Sequence, residues 1–277
     1  MALKDLLVHV DNSKACAARV DAAVRLAQSH GAHLTGMHIV PRVYIPGYAE
    51  MQVPGEVIEA QRQAIEARAA EAETAFKSAS DKAGVSAEWR STTGDPVSTL
   101  ALHGRYVDAL IVGQPDKYDS MSTSEGLAEK LVLDVGRPVL VIPYIGAAES
   151  LGERVLIAWN ASREAIRAVH DALPLLERVR KVDVLSINPP SGKAGDGDIP
   201  GADLCLHLSR HGVKAEADHV EAHDIDVGDM LLSRVADKGV DLIVMGAYGH
   251  SRFREIVLGG VTRHLIEHMT VPVLMSH

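Results

Sequence analysis

Four glycines near the end of the chain have the spacing of a loop that approaches an anion closely. They follow an apolar run, precede a helical run and fit the pattern G-x2-G-x9-G-G, and they are Gly246, Gly249, Gly259 and Gly260. Glycine lets the backbone turn tightly and come close to a ligand. Free N–H groups at a helix N-terminus, with the positive end of the helix dipole, attract anions. Two arginines, Arg252 and Arg254, add positive charge, so the segment predicts a phosphate-binding loop.

This loop belongs to a pattern that occurs twice along the chain. Residues 6–13 and 155–162 are aliphatic runs that end in Asp-x-Ser or Asn-x-Ser, and an alanine-rich amphipathic run follows each. Later, Gly94-Asp95 and Gly228-Asp229 each precede a helical pattern and another apolar strand. Both halves close on a strand that starts at a proline. Serine is a preferred helix N-cap, and the predicted caps are Ser13 and Ser162.

The order of predicted elements in each half is β-α-β-α-β-α-β-α-β. Strands that alternate with helices imply right-handed crossovers and a parallel sheet. The fold class is therefore α/β, with two tandem Rossmann-like domains, each a five-stranded parallel sheet flanked by helices. We place the domains at residues 1–145 and 152–277, joined by a glycine- and alanine-containing linker.

The halves differ in their middle segments. The first half carries a long charged helix at about 56–83 after a proline-containing loop, whereas the second has a stretch rich in glycine and proline at 188–201 and a short helix near 202–211. We interpret both segments as surface additions, with a lid or a partner surface as the alternative.

Composition excludes several classes of function. The chain has 277 residues, a net charge of -9 and no cluster of lysine or arginine, which argues against binding to nucleic acid. No apolar run approaches the ~18–20 residues of a membrane span. The two cysteines, Cys16 and Cys205, are not in a CxxC motif, and no signal peptide is indicated, so we expect a cytoplasmic protein with reduced thiols.

These motifs, taken in order, resemble the tandem universal stress proteins of bacteria, which carry two such domains in one chain. The resemblance rests on Asp11-x-Ser13, Asn160-x-Ser162, the Gly-Asp elements and the G-x2-G-x9-G loop. In that family the loop pattern marks members that bind ATP. The resemblance therefore implies an adenine nucleotide alpha hydrolase-like fold, a role in the stress response and ATP or a related adenine nucleotide as ligand, with Mg²⁺ as its candidate companion.

The resemblance also assigns contacts to individual residues. Asn160 matches a family aspartate that contacts adenine or ribose, and it carries no charge here. Residues expected around the base are Ala158, Trp159, Ile187 and Met245. Residues expected around the ribose and phosphates are Gly246, Gly249, His250, Arg252, Gly259, Gly260, Val261 and Thr262. Gly260 stands where serine or threonine is usual, so one hydroxyl hydrogen bond is lost.

The corresponding loop of the first half has lost its glycines. Asp116 and Glu125 replace two of them, and Pro115 removes an N–H donor. Acidic side chains near a phosphate site repel the ligand. We therefore expect the first half not to bind ATP in the usual mode and to act as a scaffold or to hold another ligand.

In the family the final strands of two domains pair across a pseudo-twofold axis. The resemblance therefore implies that 139–142 and 273–275 pair within this chain, as an intramolecular pseudo-dimer, with a homodimer as a further candidate assembly.

No catalytic constellation is indicated. The chain has neither a G-x-S-x-G elbow nor a G-x4-G-K-[ST] loop, so ATP hydrolysis would be slow at most. Three histidine pairs, 207/211, 219/223 and 264/268, have a spacing that suits zinc, but the sequence shows no third ligand, and we predict no metal site.

Regulatory nucleotide binding is the leading hypothesis. The alternatives are a nucleotide-independent interaction or scaffold protein and an enzyme, either a weak ATPase or an adenylating relative.

Overall fold

The computed structural model describes residues 2–41, 54–122, 124–148, 150–189, 199–249 and 260–277. The elements of the first half are β1 (Asp5–Val10), α1 (Cys16–His30), β2 (His33–Pro41), α2 (Gly55–Ala83), β3 (Ala87–Gly94), α3 (Pro96–Gly104), β4 (Ala109–Gly113), α4 (Leu127–Asp134) and β5 (Val139–Ile142). Those of the second half are β6 (Arg154–Ala158), α5 (Arg163–Leu176), β7 (Lys181–Ile187), α6 (Ala202–Arg210), β8 (Ala215–Val220), α7 (Val227–Lys238), β9 (Leu242–Gly246), α8 (Gly260–His268) and β10 (Val273–Ser276).

All ten strands form one sheet, in the order β3-β2-β1-β4-β5-β10-β9-β6-β7-β8. The five strands of each half are parallel to one another, which confirms the α/β class predicted from the alternation of strands and helices. Between the halves, β5 and β10 pair antiparallel, with Leu140 opposite Leu274. The final strands therefore pair within the chain, as the sequence led us to expect.

Successive side chains of a strand point to opposite faces of the sheet, so the aliphatic strands supply a core on each face. Leu6 and Val8 of β1 pack into one core and Leu7 into the other, and all three are almost fully buried. Both strands at the seam, β5 and β10, are buried along their whole length. Because burial of a leucine or valine side chain contributes about 1.5–3 kcal/mol, this seam joins the halves firmly.

The two predicted serine caps behave differently. Ser162 Oγ accepts a hydrogen bond from Ala165 N at 3.1 Å, which confirms it as the N-cap of α5. The prediction for Ser13 is wrong, since α1 follows Ala15 and the Ser13 hydroxyl donates to Asp11 Oδ1 at 2.6 Å. The charge of the aspartate makes it the stronger acceptor.

The second Gly-Asp pair also has a different position from the one predicted. Gly228 and Asp229 lie inside the first turn of α7, and the cap is Asp226, whose Oδ1 accepts from Gly228 N at 2.7 Å. In the first half, Asp95 caps α3 by accepting from Ser98 N at 2.8 Å. The structural counterpart of Asp95 is therefore Asp226.

The long charged helix of the first half is confirmed as α2, which has 29 residues. Its C-terminal part packs on the sheet, where Phe76 lies directly over Gly36 of β2. Most of the predicted glycine- and proline-rich stretch at 188–201 lies outside the described residues. None of the helices in the described ranges is both long and apolar enough to cross a bilayer.

Candidate functional site

The carboxyl ends of three neighbouring strands define the candidate site. The chain leaves β6 towards β7 on one side, whereas β9 pairs on the other side, so β6 is at a point where the strand order reverses. In open α/β sheets ligands bind beside the carboxyl ends of strands at such a switch point. Asn160 follows β6, Ile187 ends β7 and Gly246 ends β9, which brings these predicted residues to one edge.

Gly246 and Gly249 lie directly against the first turn of α5. A Cβ at Gly246 would overlap the backbone of Glu164 and Ala165. A Cβ at Gly249 would lie 2.9 Å from Glu164 Oε2 and 3.2 Å from Ser162 Oγ. Gly246 therefore requires glycine, because two backbone segments approach each other there, whereas a side chain at Gly249 would have to displace the side chains of Glu164 and Ser162. Gly260 differs, since a Cβ there would meet no atom of the described residues within 4 Å.

Backbone strain is concentrated at the same edge. Within the described ranges, the non-glycine residues with positive φ are Ala161, Asn188 and Tyr248, with φ of 54°, 49° and 65°. They lie in the loops that follow β6, β7 and β9 respectively. The left-handed conformation costs an ordinary residue roughly 1–2 kcal/mol, and such strain is typical of binding and active sites. The described loops of the first half contain no residue of this kind.

Hydrogen bonds from two asparagine side chains hold these loops in place. Asn160 Oδ1 accepts from Ser162 N at 3.1 Å and so forms the turn that leads into α5. Asn188 Oδ1 accepts from Ala222 N at 2.7 Å, and its Nδ2 donates to Ala222 O at 3.2 Å. The site edge is therefore pre-organised by its own side chains.

The predicted base-pocket residues differ in burial. Trp159 and Ile187 are half-buried, as is Ala158, and Asn160 is exposed. Met245 is almost fully buried. Trp159 lies beside Gly201 at the start of α6, because a Cβ there would be 3.7 Å from Trp159 Cδ1. Ala158, Trp159 and Asn160 thus follow one another at the end of β6, with Ile187 and Met245 on the flanking strands.

The predicted phosphate residues are only partly described. Gly260 and Val261 form the start of α8, and Thr262 in the same turn is buried. His250, Arg252, Arg254 and Gly259 lie outside the described residues. The convergence of backbone N–H groups along this loop therefore stays a prediction.

Glu164 is a charged residue at this edge that the sequence interpretation missed. Its side chain is buried beside Gly249, and its Oε1 accepts from Arg163 Nε at 3.2 Å. Although burial raises its pKa, a hydrogen bond from its own backbone N–H and the nearby Arg163 lower that pKa overall, so the carboxylate is ionised. An acidic residue at the first turn of the predicted helix after Asn160 was the signal available in the sequence.

The equivalent edge of the first half is filled by an arginine. Arg19 of α1 is buried, its Nη2 lies 2.7 Å from Asp11 Oδ1, and its guanidinium lies against Gly113 at the end of β4. Burial raises the pKa of Asp11, but the charge of Arg19, together with His9 and the hydrogen bond from Ser13, outweighs that effect and holds the pKa of the carboxyl well below its usual value. The aspartate that the family resemblance would assign to a ligand is therefore paired inside the protein.

The loop after β4 satisfies its own backbone N–H groups. Asp116 accepts from Tyr118 N at 2.9 Å, and Asp119 accepts from Met121 N at 3.0 Å and from Lys14 N at 2.7 Å. Ser122 Oγ accepts from Asp116 N at 2.8 Å. In sequence, these amides correspond to the loop of the second half that is predicted to offer donors to a phosphate, and here they already have hydrogen-bond partners.

A cavity of about 490 Å³ lies on the α1–α2 side of the first half. Its wall includes Asp11, Asp21 and Glu71, against one cation, Arg68, together with apolar side chains such as Phe76. This charge balance disfavours a phosphate group.

Comparisons with known proteins agree with this architecture. A model of the universal stress protein family matches residues 2–143 and again residues 152–277. The crystal structure of a universal stress protein from Archaeoglobus fulgidus superimposes with a TM-score of 0.75 at 17% identity, covering 98% of this chain and 97% of that chain. A universal stress protein of Arabidopsis thaliana, solved with AMP bound, is 17% identical and covers 50% of this chain and 91% of that chain, with a TM-score of 0.37.

Among curated proteins, a universal stress protein of Synechocystis is 33% identical over 67 residues, which are 24% of this chain and 22% of that protein. The chain thus spans about a quarter of the length of the curated relatives it matches. The repeated family match and the doubled fold together show that the chain belongs to the universal stress protein family.

Proposed function

We propose that this protein is a stress-response regulator whose C-terminal domain, residues 152–277, binds ATP or a related adenine nucleotide. The observation that carries the proposal is the strained edge formed by Ala161, Asn188 and Tyr248 after β6, β7 and β9. Left-handed backbone occurs in all three loops of one strand-order switch point and is costly at Ala161 and Tyr248, and a ligand site is its most direct explanation.

The described residues divide into two groups around such a ligand. Trp159 and Ile187, which are half-buried, offer an apolar surface suited to a base, with the almost fully buried Met245 on a neighbouring strand, and Asn160 offers an amide. Gly246 and Gly249 let the loop after β9 lie against the first turn of α5, and the N-terminus of α8 supplies a positive dipole end for phosphates. Mg²⁺, bound with the phosphates, would supply charge neutralisation.

The N-terminal domain, residues 1–145, acts in this proposal as a scaffold without a nucleotide of its own. Asp11 is paired with Arg19, and the loop after β4 has its amides capped by Asp116 and Asp119. Its role is to complete the continuous sheet through β5.

The proposed role is binding rather than catalysis. The carboxylate nearest to Gly249 among the described contacts is Glu164, and Arg163 holds it. A general base needs a free lone pair aimed at the attacking water, so hydrolysis, if measured, is expected to be slow.

A nucleotide-independent interaction protein is the second candidate. Glu164 favours it, because a buried negative charge beside Gly249 opposes the approach of a phosphate. The same experiment separates the two candidates.

The test uses the purified full chain. Nucleotide released by denaturation is identified by chromatography, and thermal shifts are measured with ATP, ADP, AMP and cAMP. We expect an adenine nucleotide at near one per chain or a clear rise in melting temperature, and we expect Gly249→Asp to abolish it. The matched control is Asp116→Asn, at the corresponding position of the first half, which should leave the shift unchanged. Equal shifts in the wild type and Gly249→Asp, or neither retained nucleotide nor a shift with any nucleotide, would refute the proposal.

A further inference from the structure

Three potential metal ligands converge where the first turn of α7 meets α8. Asp226, Asp229 and His264 each offer one ligand atom, and these atoms all lie within 4.8 Å of one another. The two aspartates are exposed and the histidine is half-buried. His264 Nε2 is 2.9 Å from Asp229 Oδ1. The cluster thus combines nitrogen and oxygen ligands from two separate helices.

A glycine in α7 creates the space that the histidine ring occupies. A Cβ at Gly228 would lie 2.5 Å from Cδ2 of His264 and 2.9 Å from its Cγ, so no other residue fits there without moving the ring. The imidazole is therefore seated against the backbone of α7 at Gly228, close to both aspartates. A ligand held in this way loses little conformational freedom when it binds a metal.

The charge of the cluster favours a cation. Among the described ion pairs, neither Asp226 nor Asp229 has a lysine or arginine as partner, and Asp229 pairs only with His264. Two carboxylates at this distance repel each other, and a divalent ion between them removes that repulsion. Imidazole with carboxylate suits zinc and similar transition metals better than calcium or magnesium, which prefer oxygen alone.

We propose that Asp226, Asp229 and His264 form a binding site for a divalent transition-metal ion of the zinc class. Three protein ligands leave a fourth position for water, as in open zinc sites. Zinc bonds to these atoms are about 2.0–2.2 Å long, so small side-chain rotations suffice to bring the three atoms around one ion. The hydrogen bond between His264 and Asp229 is then replaced by two bonds to the metal, with Nε2 of the neutral imidazole as ligand and its proton on Nδ1.

The third ligand is what the sequence alone did not show. His264 and His268 have the spacing of a zinc-binding pair, but their rings stack with centroids 4.4 Å apart, and His268 Nδ1 is hydrogen-bonded to His264 O. The fold instead supplies Asp229, which is 35 residues earlier. A metal here would join α7 to α8, the helix that begins at Gly260. Metal binding at this site does not require a bound nucleotide.

The test is an isothermal calorimetric titration of the chelator-treated full chain with zinc chloride. We expect one zinc ion per chain, and a loss of affinity of at least about tenfold in Asp229→Asn and His264→Gln. The matched controls, Asp224→Asn and His268→Gln, change neighbouring residues of the same type and should bind as the wild type does. Asp226→Asn removes a ligand charge while an asparagine still caps α7, so it loses affinity without unfolding the helix.

A second histidine cluster provides the decisive comparison. His207 lies between His170 and His211, with ring centroids 5.2 and 4.8 Å away, and its buried Nε2 has no hydrogen-bond partner among the described residues. The inference predicts that His207→Gln keeps the zinc affinity. Loss of binding in His207→Gln with retention in His264→Gln would overturn it, as would the absence of stoichiometric zinc. Cobalt(II) absorption in the visible range, present in the wild type and lost in His264→Gln, is the second readout, and circular dichroism checks the folding of each variant.

Discussion

Arg19 and Asp11 form an ion pair, with Nη2 2.7 Å from Oδ1, inside the carboxyl edge of the first half. The arginine side chain is only 2% exposed. In the second half the corresponding positions, counted from the Asp-x-Ser and Asn-x-Ser motifs, hold Asn160 and the buried Ala168. One half thus holds a buried charge pair at these positions, whereas the other holds a neutral amide and a small buried side chain.

The ion pair predicts a strongly non-additive pair of substitutions. Arg19→Ala leaves Asp11 buried without its cation, so we expect a loss of about 3–5 kcal/mol in the free energy of unfolding. Adding Asp11→Asn, which reproduces the Asn160 and Ala168 pair of the second half, should recover much of that loss. Urea unfolding of both single variants and the double variant measures the coupling. Additive effects would show that the pair does not stabilise this edge, and the exposed Asp21→Asn serves as the control.

Gln114 ties the first half to the second. Its Nε2 donates to Ile266 O at 2.8 Å, and its Oε1 accepts from Tyr144 N at 3.1 Å. Gln114→Glu keeps the shape but replaces the donor with a buried carboxylate facing a carbonyl oxygen. We expect the free energy of unfolding, measured with urea, to fall by about 1–3 kcal/mol.

The control for this substitution is Gln28→Glu. Gln28 Nε2 donates to Ala83 O at 2.9 Å, but this bond is exposed to solvent. Water can replace the bond, so a change below about 0.5 kcal/mol is expected. If the two variants lose the same free energy of unfolding, burial of Gln114 does not account for the effect of its substitution.

Alanine substitution of two glycines of the candidate site should change the stability of the protein by different amounts. Gly246→Ala places a methyl group on the backbone of α5, which we expect to destabilise the fold by about 1–3 kcal/mol. Gly260→Ala meets no described atom within 4 Å and should change the free energy of unfolding by less than about 1 kcal/mol. Thermal unfolding of the two variants side by side checks the difference. A stable Gly246→Ala protein would mean that the strand end and α5 are not in close contact.

His9 should make the stability of the protein depend on pH. Burial, and then the charge of Arg19, lower the pKa of His9 from 6.5 to about 4. Between those values the unfolded chain binds a proton that the folded chain does not, so its contribution is complete above pH 6.5 and is lost as the pH falls to 4. The contribution is on the order of 3 kcal/mol at most.

The measurement for His9 is the free energy of unfolding at intervals between pH 7 and pH 4.5. His9→Leu removes the titrating group while keeping a similar volume, so the loss of stability over this range should be smaller in the variant. An unchanged pH profile would exclude His9 as its source.

The sequence by itself determined the repeat, the alternation of strands and helices and the two sets of loop residues after the fourth strands. These features are local, since a run of alternating apolar residues or a capping serine such as Ser162 acts over a few positions. The α/β class and the long helix α2 followed from such patterns. The family could also be recognised, because its motifs recur in a fixed order.

Only the tertiary structure decided which side chains face one another. Arg19 reaches Gly113, Glu164 lies beneath Gly249, and Asp229 meets His264, although each pair is separated by dozens of residues in the chain. The order of strands in the sheet brings such positions together, and no short-range pattern records that order. The same reason explains the misplaced cap at Ser13, where Asp11, fixed by Arg19, takes the serine hydroxyl and leaves α1 to begin at Cys16.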